Sequence, residues 1–178
     1  GRLRTSDEGI FRVLRVTKEH GMTALVHAEN GDVIERLITE AKAAGNLTPI
    51  YHARTRPDWT AVEATFRVCS LSELAGNAPV YIVHMNAAEE VEALSYAQKK
   101  GIPVFGETCP QYLILTDAEL ERPDGAKFVF SPPLRKEKDN EGLWAGIQNG
   151  TIQTVATDHC PFLYDGTKAI EYEGELFS

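Results

Sequence analysis

Long apolar runs are missing from this sequence. None approaches the roughly 18 residues that a bilayer-spanning helix needs. Cations are in the minority, at 18 Lys and Arg against 26 Asp and Glu. The resulting net charge of −8 at pH 7 excludes non-specific binding to nucleic acid or to an anionic membrane. Cysteine is scarce. Cys69, Cys109 and Cys160 cannot all pair within one chain, and their spacing fits no zinc ribbon. A reducing, cytosolic compartment is therefore expected, with Cys69 and Cys109 read as small buried apolar residues. The opening residues "GRLRTSDEG" lack the apolar core of a signal peptide. Hairpin signals between alternating runs, low-complexity tracts and linkers are also absent.

What is present suits one globular domain: 178 residues, 43% apolar and 25% charged. Short apolar, β-branched runs predict strands at Thr23–His27, Pro79–Met85, Ile102–Glu107, Lys127–Phe130 and Ile152–Thr157. Helical spacing separates them. Gly31–Gly45 puts Val33, Ile34, Leu37, Ile38 and Ala41 on one face, with Gly45 as a C-terminal stop. Pro57–Gly76 places Val62, Phe66, Cys69 and Leu71 inward. Ala87–Gly101 ends in "KKG", and Glu137–Gly150 is a fourth helix. Strands alternating with helices predict a parallel sheet covered by helices, one α/β domain over residues 1–178. Residues 163–178 have weak periodicity and are expected to form a loop.

Polar residues recur at one place in this pattern. His27, His84, Glu107, Ser131 and Asp158 each end one of the five predicted strands. In parallel α/β folds, active sites gather at the carboxyl ends of strands. Two imidazoles and a carboxylate converging there form a ligand set suited to a first-row metal, zinc above all. Two rings sharing one ion at about 2.1 Å would have ring nitrogens about 3–4 Å apart. Glu29 reads as a supporting or helix-start carboxylate. His159 and Cys160, beside Asp158 in "TVATDHCPF", read as support by hydrogen bonding and loop packing.

These stretches also carry a resemblance. "VHAENGDVI", "VHMNAAE", "GETCPQYL", "FSPPLR" and "TDHCPF" resemble, in order, motifs of the dihydropyrimidinase/D-hydantoinase family of cyclic amidohydrolases. The likeness covers nearly the whole chain. It implies a partial TIM-type (β/α) barrel, roughly strands five to eight. It implies a binuclear zinc enzyme that hydrolyses the cyclic amide of dihydropyrimidines or hydantoins to N-carbamoyl amino acids. His27 and His84 match ligands of the second metal. Asp158 matches the ligand of the first metal that also acts as general base and acid. Ser131 matches a serine whose main chain contacts the cyclic amide, and Glu107 and His159 fall in supporting positions. The family's His-x-His pair is absent, and its carboxylated bridging lysine is expected just before Gly1. A substrate-contacting asparagine is expected just after Ser178. The chain thus reads as an internal part of a larger cytoplasmic enzyme, a homotetramer or homodimer by the same resemblance. It is expected to need the rest of the barrel and to be inactive alone. Alternatives are a non-catalytic scaffold like the collapsin response mediator proteins, or an allantoinase- or dihydroorotase-like enzyme.

Overall fold

The computed structural model describes residues 4–160; the loop expected over 163–178 lies outside the described residues. In chain order the elements are α1 (Asp7–Glu19), β1 (Ala24–Val26), α2 (Gly31–Ala43), α3 (Ile50–Arg54), α4 (Asp58–Leu74), β2 (Val80–Met85), α5 (Ala88–Lys99), β3 (Val104–Thr108), α6 (Pro110–Ile114), α7 (Glu137–Gln148) and β4 (Thr154–Val155). Two 3-10 turns, Asp117–Glu121 and Gly125–Phe128, lie between α6 and α7. The strands form one parallel sheet in the order β1-β2-β3-β4. Each crossover carries helix, as parallel pairing requires.

One expected strand does not form. Lys127–Phe130 falls in the second 3-10 turn and the chain after it. Val129 is instead buried in a small side core with Ile50 and Ala53 of α3 and Leu120, and Phe128 packs against it. Ser131 therefore ends no strand. Helix α1 has no counterpart in the sequence reading; it is capped by the Ser6 hydroxyl, which accepts the Gly9 amide at 3.2 Å, and it buries Leu14.

The register sorts the sheet into two faces. Ala24, Val80 and Val104 stand side by side across β1, β2 and β3 and are all buried under the helices. One residue on, Leu25, Tyr81 and Phe105 stand side by side on the opposite face, with Leu25 69% and Phe105 40% exposed. The helix-covered face is the main core, built from Leu14, Val80, Ile82, Leu94, Val104 and Leu143. Packing there is close: a Cβ on Gly106 would lie 2.5 Å from Leu94 Cδ2 and 2.7 Å from Met85 Sδ. In α4, Val62 and Cys69 are buried, whereas Phe66, expected inward, is 40% exposed and stacks edge-on with Tyr96 of α5. Val33 is also exposed, since α2 flanks the sheet edge and only its Ile34–Ala41 side is covered. Helices α2 and α5 stop where Gly45 (φ +73) and Gly101 (φ +79) adopt the left-handed conformation open to glycine.

Candidate active site at the carboxyl rim of the sheet

A bulge builds the centre of the rim. The β2–β3 register slips between Ile82 and Met85. Strict alternation from Ile82, which faces the helices, would send His84 to the helices too. Instead Met85 takes that place against Gly106, and His84 turns to the open face. The turn is made by a left-handed backbone at His84, φ +43. Non-glycine residues rarely adopt this conformation, and it costs of order 1–3 kcal/mol where it persists. Asp158 just after β4 is held in the same region, φ +46.

The result is an imidazole pair. His27 Nδ1 and His84 Nε2 face each other at 3.0 Å, with the rings nearly perpendicular at 74°. The other nitrogen of His27, Nε2, lies 2.8 Å from Glu29 Oε2, whose side chain is 7% exposed. A carboxylate there fixes the proton on Nε2 and leaves the Nδ1 lone pair aimed at His84. Glu29 thus supports His27, and the helix-start role goes to Asn30, whose side chain accepts the Val33 amide. Burial, and then the neighbouring His27, push the His84 pKa below its usual value, against weaker opposing pulls from Asp158 and Glu29. A neutral imidazole is the form that ligates a metal.

Glu107, next to last in β3, lies on the same face. Its Oε1 accepts the His84 backbone amide at 3.3 Å, and its Oε2 accepts Tyr81 Oη at 2.7 Å. Tyr81 Oη also meets Thr154 Oγ1, so β2, β3 and β4 are tied beneath the histidines. Cys109 is fully buried, and burial pushes its thiol up to about 12, which makes it packing rather than a nucleophile. His159 and Cys160 are exposed.

The metal that the fold family implies can be tested against these donors. Two nitrogens bonded to one ion at about 2.0–2.1 Å lie at most about 4 Å apart, and the observed 3.0 Å is within that reach. His84 Nδ1 is buried without a partner among the described residues, so the ring's engaged nitrogen is the one facing His27. The donor set fits a first-row ion. A second carboxylate group, Asp58, Glu89 and Asp139, also converges within 4.8 Å. Lys138 Nζ pairs with it, 2.7 Å from Glu89 and 3.6 Å from Asp58, and Asp139 caps the starts of α5 and α7 through the Ala88 and Lys136 amides. That trio serves as a helix-cap ion pair.

Ser131 reaches this end of the sheet by another route. The segment before α7 is held against Asn86, two residues past His84, because Asn86 Nδ2 donates to the Pro133 carbonyl. Ser131 is exposed, with its Oγ 3.4 Å from His52 Nε2. Sequence reasoning overlooked His52, Tyr81, Asn86 and Tyr112. Alternation along β2 could have placed Tyr81 on the open face. A single histidine in "PIYHART" offers no comparable signal.

A parallel α/β sheet with imidazoles and carboxylates at its carboxyl rim is part of an amidohydrolase barrel. The comparisons agree. The chain is 48% identical over 168 residues to the D-hydantoinase of Geobacillus stearothermophilus, covering 93% of this chain and 36% of that one. It is 43% identical over 157 residues to the D-phenylhydantoinase of Escherichia coli, covering 88% of this chain and 34% of that one. The crystal structure of dihydropyrimidinase from Brevibacillus agri superposes with a TM-score of 0.92 at 48% identity, over 94% of this chain and 37% of that one. No family model matches the chain. On the strength of these relatives the chain belongs to the D-hydantoinase/dihydropyrimidinase family and corresponds to about a third of its members' length.

Proposed function

We propose that the protein containing this chain hydrolyses the ring amide of a dihydropyrimidine or hydantoin to an N-carbamoyl amino acid, with zinc at the rim of its barrel. The observation that carries this reading is the His27 Nδ1–His84 Nε2 pair, 3.0 Å apart on the open face and braced by Glu29 and Glu107. His27 and His84 would hold one ion, and Asp158 would serve a second. A bound zinc supplies Lewis acidity and makes an associated water acidic near neutral pH. Asp158 then takes the proton of the attacking water and returns it to the leaving ring nitrogen, so one carboxylate is base and then acid. The Ser131 main chain aligns the cyclic amide. Glu29 keeps His27 in the tautomer that presents Nδ1, and Glu107 holds His84 in place.

The chain alone would turn over nothing at a useful rate, because its rim carries only part of a binuclear ligand set. No helix among the described residues is long and apolar enough to cross a membrane, and we assign the protein to the cytoplasm as a homotetramer or homodimer. The test is the full-length protein with dihydrouracil, hydantoin and allantoin as substrates. Hydrolysis of the first two, lost to a chelator and restored by zinc, supports the reading. Zinc-loaded protein without turnover of any ring would favour a scaffold role.

A further inference from the structure

The segment around Ser131 is clamped on both sides by buried donors. His52 Nε2 lies 2.8 Å from the Phe130 carbonyl, and His52 is 2% exposed. Since that acceptor has no proton, Nε2 must carry one and donate it. Tyr112 Oη donates to the Pro132 carbonyl at 2.6 Å, and Tyr112 is 3% exposed. Farther along, the Pro133 carbonyl accepts from Asn86 Nδ2, and the Arg135 carbonyl accepts the Asp117 amide at 2.8 Å. Four separate parts of the chain thus hold a stretch with no secondary structure of its own. Ser131 itself is not held in this way. Among the described residues, no hydrogen bond engages its amide or its carbonyl, and it is exposed.

We propose that His52 is a positioning residue for substrate. By holding the Phe130 carbonyl, opposite Tyr112 on the Pro132 carbonyl, it pre-forms the free N–H and C=O of Ser131 as a fixed donor–acceptor pair. The matching chemistry is a ring –NH–CO– unit, which offers the complementary acceptor and donor. This rests on the cyclic-amide reading given above and adds a residue to it that touches neither metal nor substrate. The physical reason is preorganisation. A backbone already in its binding conformation loses no freedom when the ring arrives, whereas a loose one misplaces the reacting carbonyl, and about 1 Å of misplacement can cost about 10²-fold.

The test uses the full-length protein with His52→Leu, which removes the donor at similar size, and His52→Gln, whose amide can still donate. Steady-state kcat and KM on dihydrouracil or hydantoin are read with zinc content and thermal midpoint. His52→Leu is expected to raise KM about tenfold to a hundredfold at unchanged zinc content, and His52→Gln to restore most of it. Tyr112→Phe, which deletes one hydroxyl, gives an independent measure if His52→Leu folds poorly, and should raise KM in the same direction. A lower melting point with KM unchanged, in His52→Leu or in Tyr112→Phe, would make the clamp purely structural and overturn the proposal. A wild-type protein that opens no cyclic amide overturns the functional reading itself. Active wild type with insensitive variants overturns only the role of His52.

Discussion

Glu107 holds the backbone of His84: Oε1 accepts the His84 amide at 3.3 Å while Oε2 accepts Tyr81 Oη at 2.7 Å. This bond sits on the residue that carries left-handed strain, φ +43. Removing it should let His84 relax and swing Nε2 away from His27. Glu107→Ala in the full-length protein is expected to weaken zinc binding about 10–100-fold, the usual cost of losing a group that orients a ligand. A competition titration with a chromophoric chelator measures this. Unchanged zinc affinity in folded variant would show that Glu107 serves strand pairing alone.

Asp158→Asn keeps the shape and loses the charge and the basicity. General acid–base help is worth about 10²–10⁴-fold, and impaired metal binding adds to it. We expect kcat to fall by at least about 10³-fold even with zinc in excess. His159→Asn should cost no more than about 10–100-fold. Both are read as kcat and bound zinc on folded protein; near-wild-type turnover of Asp158→Asn with full zinc occupancy would rule out its role as base.

Glu90 gives a pH signature. Its carboxylate accepts the Asn86 and Ala87 amides at 2.9 and 3.1 Å at the start of α5, yet burial pushes it from 4.5 up to about 7. The folded state therefore holds this proton more tightly than the unfolded chain. Its contribution to stability is present in full below about pH 4.5 and is lost as pH rises to about 7. The span is at most about 3 kcal/mol. Urea midpoints of wild type and Glu90→Gln across this range should differ in slope, with the variant flatter; parallel curves would sink the assignment.

Gly142 of α7 faces the start of α5. A Cβ there would lie 2.4 Å from Ala88 Cβ and 2.8 Å from Ala88 Cα. Alanine gains about 1 kcal/mol of helix propensity over glycine, but overpacking costs about 1–3 kcal/mol, and no rotamer relieves a clash with backbone. Gly142→Ala should destabilise by up to about 2 kcal/mol. Adding Ala88→Gly should recover part of the loss, which a double-mutant cycle in urea measures.

The parts of this fold legible in the sequence are those set by periodicity. Four of the five expected strands and the four helices α2, α4, α5 and α7 follow from apolar spacing and their glycine stops, and so does the parallel sheet. Lys127–Phe130 misled because a short apolar run looks the same whether it joins a sheet or fills a side core with Ile50 and Leu120. Phe66 misled because helical spacing marks a stripe without saying how wide a neighbour covers it. At the site, His27 and Glu107 are legible as strand ends. The approach of His84 depends on a bulge, and the support of Ser131 depends on His52, 79 residues away. Neither leaves a local pattern.

The slip between Ile82 and Met85 has a genetic reading. An in-frame loss of one codon there would leave a strand of ordinary length that pairs smoothly with β3. If the residue lost were Val83, His84 would still face the open side; if it were His84, Val83 would take that place and the imidazole pair would be gone. Which of the two residues a gap in this short stretch removes therefore decides whether the imidazole pair survives.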